Sequence, residues 1–218
     1  MPAWICASSS EIMMDVHKIN ALLRKIPVWP VHVLGALAVA GYFALAAAGR
    51  LGPDPVRILE QELGRLALKE LIAVLAISPL RDFTGINLLR FRRAIALAAV
   101  LAVTVHLGVW LFLDLPGISL LGREILKRPY ITIGMAAFAL MIPLALTSSN
   151  AAIRRLGAMR WRRLHRLTYP LIVLCAIHFI MLRKGWQAQP MVYLAIILIL
   201  LLARLLPRKT PARARQGV

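Results

Sequence analysis

The chain has 218 residues, 60% of them hydrophobic, with a mean hydropathy of +0.75 and a formal net charge of +18. That is too apolar for an ordinary soluble domain, and the apolar residues come in blocks separated by short basic loops, which is the pattern of a polytopic membrane protein. The charge does not point to nucleic acid, because the Lys and Arg residues sit in the loops, where they set topology. With only two cysteines, Cys6 and Cys175, there is no disulfide framework and no Cys-rich metal site, which excludes iron–sulfur ligation by this chain alone.

Residues 1–27 hold no apolar run followed by a small-residue cleavage site, so they read as a cytoplasmic N-terminal segment, with Cys6 in a part expected to be disordered. Six apolar segments follow, at 28–48, 64–80, 93–113, 131–147, 167–183 and 190–206. Each is about long enough to cross a hydrocarbon core of ~30 Å as a helix. Runs such as 94–113 lack the alternation of a barrel strand. The expected fold is therefore all-α, a six-helix transmembrane bundle over 28–206.

Trp29, Pro30 and His32 open the first span, and Gly52-Pro53-Asp54-Pro55 breaks the chain after it. Residues 56–68 mix Arg57, Glu60, Glu62 and Arg65 with leucines at helical spacing, so they are expected to lie along the membrane surface before the second span enters. Lys69 and Glu70 read as a snorkelling pair at its outer end, and Ser78-Pro79-Leu80-Arg81 as its close. The loop 81–93 ends in Arg90-Phe91-Arg92-Arg93, which starts the third span. Residues 114–130 are expected to form a short amphipathic helix before Pro129 introduces the fourth. Thr147-Ser148-Ser149-Asn150 should cap a short inner helix closed by Gly157. Residues 207–218 form a basic tail with no core of its own.

Positive charge sets the orientation. With the N-terminus inside, eighteen of the 27 Lys and Arg residues fall on the inner side, while the outer segments carry the other nine and six of the nine acids. Both termini are therefore expected in the cytoplasm. Trp29, Trp110, Trp161 and Trp186 fall near span ends, as interfacial anchors do.

The histidines give the bundle its chemistry. The third and fifth spans both run from inside to outside, so depth can be counted from their arginine-rich starts. His106 lies thirteen residues past Arg93 and His178 twelve past Arg166, which puts both ~18–20 Å from the inner boundary. Two neutral imidazoles facing one another at that depth are what a six-coordinate haem iron needs. His165 lies ~20 Å below His178, where a second redox centre would let an electron cross most of the bilayer in two steps. The third span has no histidine at that level, only Arg92 and Arg93, and His32 is the one intramembrane candidate for a fourth ligand. The arginines are suited to pair with haem propionates or a flavin phosphate. Thirteen residues also turn an ideal helix about 220° past three full turns, so His165 and His178 do not share a face unless Pro170 rephases the helix.

A family resemblance runs through the same residues. Asp54-Pro55-Val56, Leu66-Ala67-Leu68-Lys69, Ser78-Pro79-Leu80, Leu88-Leu89-Arg90-Phe91-Arg92-Arg93, Lys127-Arg128-Pro129-Tyr130-Ile131-Thr132, Ala145-Leu146-Thr147-Ser148 and Arg160-Trp161-Arg162-Arg163-Leu164-His165 resemble, in order and spacing, the MsrQ (formerly YedZ) family. The resemblance implies a ferric-reductase-like transmembrane domain related to the membrane part of NADPH oxidases, in the bacterial inner membrane. It implies one or two b-type haems, with His106, His165 and His178 at ligand positions, and an association with FMN. It also implies electron delivery from the quinone pool or a cytosolic flavin reductase to the periplasmic molybdopterin subunit MsrP, which repairs oxidised methionines. NADPH oxidases pair histidines on both the third and fifth spans, whereas this chain has one on the third. No glycine-rich strand-to-helix turn for NAD(P)H is visible, nor any flavin-specific motif. The other readings of the residues are a small transporter whose histidines relay protons and a quinol-oxidising cytochrome b serving another acceptor.

Overall fold

The structure, a computed structural model, describes residues 3–182 and 187–206, with side chains from Met14 onward. The anchor expected at Trp186 and the basic tail at 207–218 lie outside the described residues. Among the described residues the chain is helical throughout its ordered elements: α1 Ala3–Lys25, α2 Trp29–Ala47, α3 Pro55–Thr84, α4 Arg92–Val109, α5 Leu121–Lys127, α6 Pro129–Leu146, α7 Asn150–Leu156, α8 Ala158–Leu164, α9 Thr168–Leu182 and α10 Ala188–Ala203. By length and composition, α2, α4 with its extension to Asp114, α6, and α8 running on into α9 are long and apolar enough to cross a membrane. The helix α10 is apolar but shorter, and α3 is longer and more polar.

In the N-terminal segment, residues 3–25 form α1. It is tied to the turn after α3, where Asn20 donates to the Gly85 carbonyl (3.0 Å) and accepts from the Asn87 amide (2.8 Å). Arg90 donates to the Leu23 carbonyl at 3.0 Å and also to that of Arg24.

The surface segment expected at 56–68 and the second span are one continuous helix, α3. Asp54 caps it by accepting from the Arg57 amide (3.2 Å), and Pro55 occupies its first turn, where no amide partner is needed. Its first turns do not lie free on a surface, because Leu59 and Leu63 are buried with Val39 of α2 and Ala102 and Val109 of α4. Nor does the helix close at Pro79. Proline lacks the amide that would bond the Leu75 carbonyl, but Arg204 beyond the end of α10 donates to that oxygen at 2.7 Å. With the freed acceptor satisfied, α3 runs on to Thr84 and stops at Gly85, whose φ of 79° is the left-handed value glycine adopts freely.

Packing places α3 at the centre. One core joins Leu68, Leu71 and Leu75 to Ala99 of α4, Met141 of α6, Ile172 of α9 and Ile197 of α10. Small residues let the helices approach: a Cβ on Gly35 of α2 would stand 2.7 Å from the Cβ of Ala98 on α4. Outward-facing apolar side chains such as Leu34, Leu37, Phe112 and Ile199 are exposed, as lipid-facing residues are. Lys69 is exposed while its neighbour Glu70 turns one carboxylate oxygen inward without a hydrogen-bond partner, so the two do not form the snorkelling pair. The loop at 114–130 does contain a short helix, α5. The cap expected at 147–150 forms as well, with Ser149 accepting from the Ala152 amide (3.1 Å) and α7 closing at Gly157.

Candidate functional site

On α4, His106 turns its Nδ1 to the Glu60 carbonyl of α3, at 2.8 Å. On α9, His178 turns its Nδ1 to the Tyr130 carbonyl of α6, at 2.7 Å. A carbonyl only accepts, so each Nδ1 carries the proton and each Nε2 keeps the lone pair that a metal requires. The two ring centres are 6.4 Å apart with their planes at 82°. Two axial imidazoles on one metal stand about 6 Å apart, from a metal–nitrogen bond of about 2 Å and roughly 1.1 Å from Nε2 to the ring centre on each side. The observed spacing fits that arrangement.

Both rings line a cavity of about 440 Å³, within the size range of small-molecule and cofactor sites. Its walls are apolar, with Leu68, Leu71, Phe138 and Met141, and its mouth is charged, with Arg57, Arg65, Asp114 and Arg128. Arg128 is held there by Glu124 (2.8 Å) and the Tyr130 hydroxyl (3.2 Å). That hydroxyl, and then the nearby acids, push the guanidinium above its ordinary range, so it stays a fixed positive charge. Arg65 pairs with Glu62. Trp110, expected as an interfacial anchor, is instead buried and part of the cavity wall.

The opposite end of the bundle, around His165, is built differently. The chain between α8 and α9 tightens into a 3₁₀ turn over His165–Leu167. The His165 ring stacks on Trp161 (4.0 Å between centres), and its Nε2 lies 3.1 Å from the Thr147 hydroxyl. Trp161 donates to the Thr147 carbonyl at 2.9 Å, which holds its ring against His165. Arg92 and Arg93 lie close enough to act on His165 electrostatically, and Arg92 also feels Arg204. Arg93 donates to the Asn150 side chain at 2.9 Å and so joins α4 to α7. His32 is exposed near the start of α2 and does not line the cavity.

Residues 63–176 match the family model of the ferric reductase like transmembrane component. Proteins named as the heme-binding subunit MsrQ of protein-methionine-sulfoxide reductase, from Brucella ovis, Brucella canis and Brucella suis, are each 46% identical over 178 residues, covering 81% of this chain and 80% of theirs. The chain belongs to the MsrQ family. No solved structure matches it.

Within this MsrQ-family bundle, sequence reasoning found the histidines but missed what holds them. The two carbonyl acceptors are backbone atoms and leave no mark on residue type. Their neighbours do leave one, because Gly64 and Gly134 are isolated glycines in apolar helices, and such residues usually have a packing reason. A Cβ on Gly64 would lie 3.3 Å from His106, and one on Gly134 2.8 Å from His178.

Proposed function

We propose that this chain is the haem b-binding, electron-transfer subunit of a bacterial inner-membrane methionine sulfoxide reductase system. It has six crossings, with both termini in the cytoplasm. The observation that carries the reading is the pair His106 and His178, whose protonated Nδ1 atoms are tied to helix carbonyls and whose ring centres are 6.4 Å apart. Bound haem supplies one-electron carriage between the ferric and ferrous states. The work of the chain is to hold and orient that group and to keep water and lipid away from it.

In this reading His106 and His178 would hold the haem iron, and the apolar wall from Leu68 to Met141 would shield the group from water. The charged outer mouth, with Arg57 and Arg128, faces the acceptor, proposed as the periplasmic molybdopterin protein MsrP. The electropositive inner end around Arg92, Arg93 and His165 receives electrons from a quinol or a cytosolic flavin reductase. FMN fits there through pairing of its phosphate with the arginines. His165 adds one imidazole at the level of any inner haem.

The test is an absorption spectrum of detergent-purified protein, oxidised and then reduced with dithionite, with haem quantified as the pyridine haemochrome. Sharp reduced α and Soret bands are expected, and the haem-to-chain ratio decides whether His165 serves a second haem. A colourless protein prepared with ample haem supply would overturn the reading and return the histidines to proton relay or helix packing.

A further inference from the structure

The two histidines are held by one device, made twice. His106 bonds the carbonyl of Glu60, and the residue four positions on is Gly64; His178 bonds the carbonyl of Tyr130, and the residue four positions on is Gly134. In a helix every Cα–Cβ bond tilts toward the N-terminus, so the side chain at i+4 leans over the carbonyl of residue i. That carbonyl already accepts its helical bond but has a second lone pair. A glycine at i+4 uncovers that lone pair, and an imidazole from a neighbouring helix can reach it. At Gly64 an added Cβ would sit 3.3 Å from both Nδ1 and Cε1 of His106. At Gly134 it would sit 2.8 Å from Nδ1 and 2.9 Å from Cε1 of His178, closer than real side chains pack. The repeat occurs on two separate helices, α3 and α6, each serving a histidine on another helix.

We propose that Gly64 and Gly134 are positioning residues that set the donor strength of the two imidazoles, and through it the reduction potential of the iron they ligate. The inference rests on the haem reading above. An Nδ1–H that donates to a carbonyl makes the ring more electron-rich at Nε2, which favours the ferric state and holds the potential down. Displacing the ring from the carbonyl removes that bias, so the potential rises. Because the approach is tighter at Gly134, the effect of a methyl group there is the larger one.

The experiment compares Gly64→Ala, Gly134→Ala and Gly108→Ala in the purified full chain, by haem content, potentiometric titration and EPR of the ferric state. Gly108 lies two residues from His106 on the same helix and has nothing within 4 Å of its added Cβ, so it controls for helix propensity and handling. The expected result is an upward shift in midpoint potential with altered ferric g-values, larger in Gly134→Ala than in Gly64→Ala and absent in Gly108→Ala. Should Gly134→Ala fail to accumulate, Gly64→Ala carries the test, since its neighbour needs to give by only a few tenths of an ångström. Wild-type potential and g-values in the variants that accumulate, or an equal shift in Gly108→Ala, would overturn the inference while leaving the haem reading intact. A wild-type protein without haem would instead remove the reading on which the inference depends.

Discussion

The two ends of the bundle both present imidazole, but they hold it in opposite ways. At one end the Nδ1 atoms of His106 and His178 are engaged by carbonyls, and their Nε2 atoms are left to the cavity. At the other end the Nε2 of His165 meets the Thr147 hydroxyl, its ring is covered by Trp161, and its charged neighbours are arginines. The residue type is the same at both ends, so the difference lies in which nitrogen the surroundings occupy. The His106 and His178 rings keep Nε2 for the cavity, whereas His165 has its Nε2 turned to Thr147.

The sharpest way to break this contrast is at the His106–His178 pair. His106→Ala or His178→Ala is expected to remove the haem they share and abolish its α band, with the haemochrome ratio falling by one per chain; full haem content in both variants would end the assignment.

The next effect concerns the support of the helix through Pro79. Arg204→Ala leaves the Leu75 carbonyl, buried beneath Pro79, without a donor, at a cost of about 1–3 kcal/mol for an unsatisfied buried acceptor. Unfolding in detergent followed by circular dichroism should detect this loss, whereas Arg154→Ala at an exposed position should change stability by no more than about 0.5 kcal/mol.

The smallest effect sharpens the comparison. His165→Ala is expected to keep the spectral bands of the His106–His178 site while slowing reduction by a quinol or flavin donor about tenfold, the low end of losses on removing a residue next to a metal site. Stopped-flow reduction measures this directly. An unchanged rate would take His165 out of the inner path.

Much of this was legible in the chain itself. Hydrophobic runs and basic loops located the long helices, because burial of apolar side chains and charge asymmetry are properties of composition and order. Counting residues from Arg93 and Arg166 put His106 and His178 at one depth, since helical rise is constant. The cap at Ser149 was equally visible, because its chemistry is local.

What the sequence left open was decided by contacts between residues far apart along it. The expected break between a surface helix and the second span does not occur, because Leu59 and Leu63 find partners on α2 and α4. The helix passes Pro79 because an arginine 129 residues from Leu75 supplies the missing donor. Trp110 faces inward because a cavity waits there, and Trp161 stacks on His165. The carbonyls that hold the two imidazoles lie 46 and 48 residues away from them. Periodicity determines that a helix forms and how deep each residue lies in it; only packing of the helices against one another decides which face turns inward, and so which nitrogen of each histidine is left free.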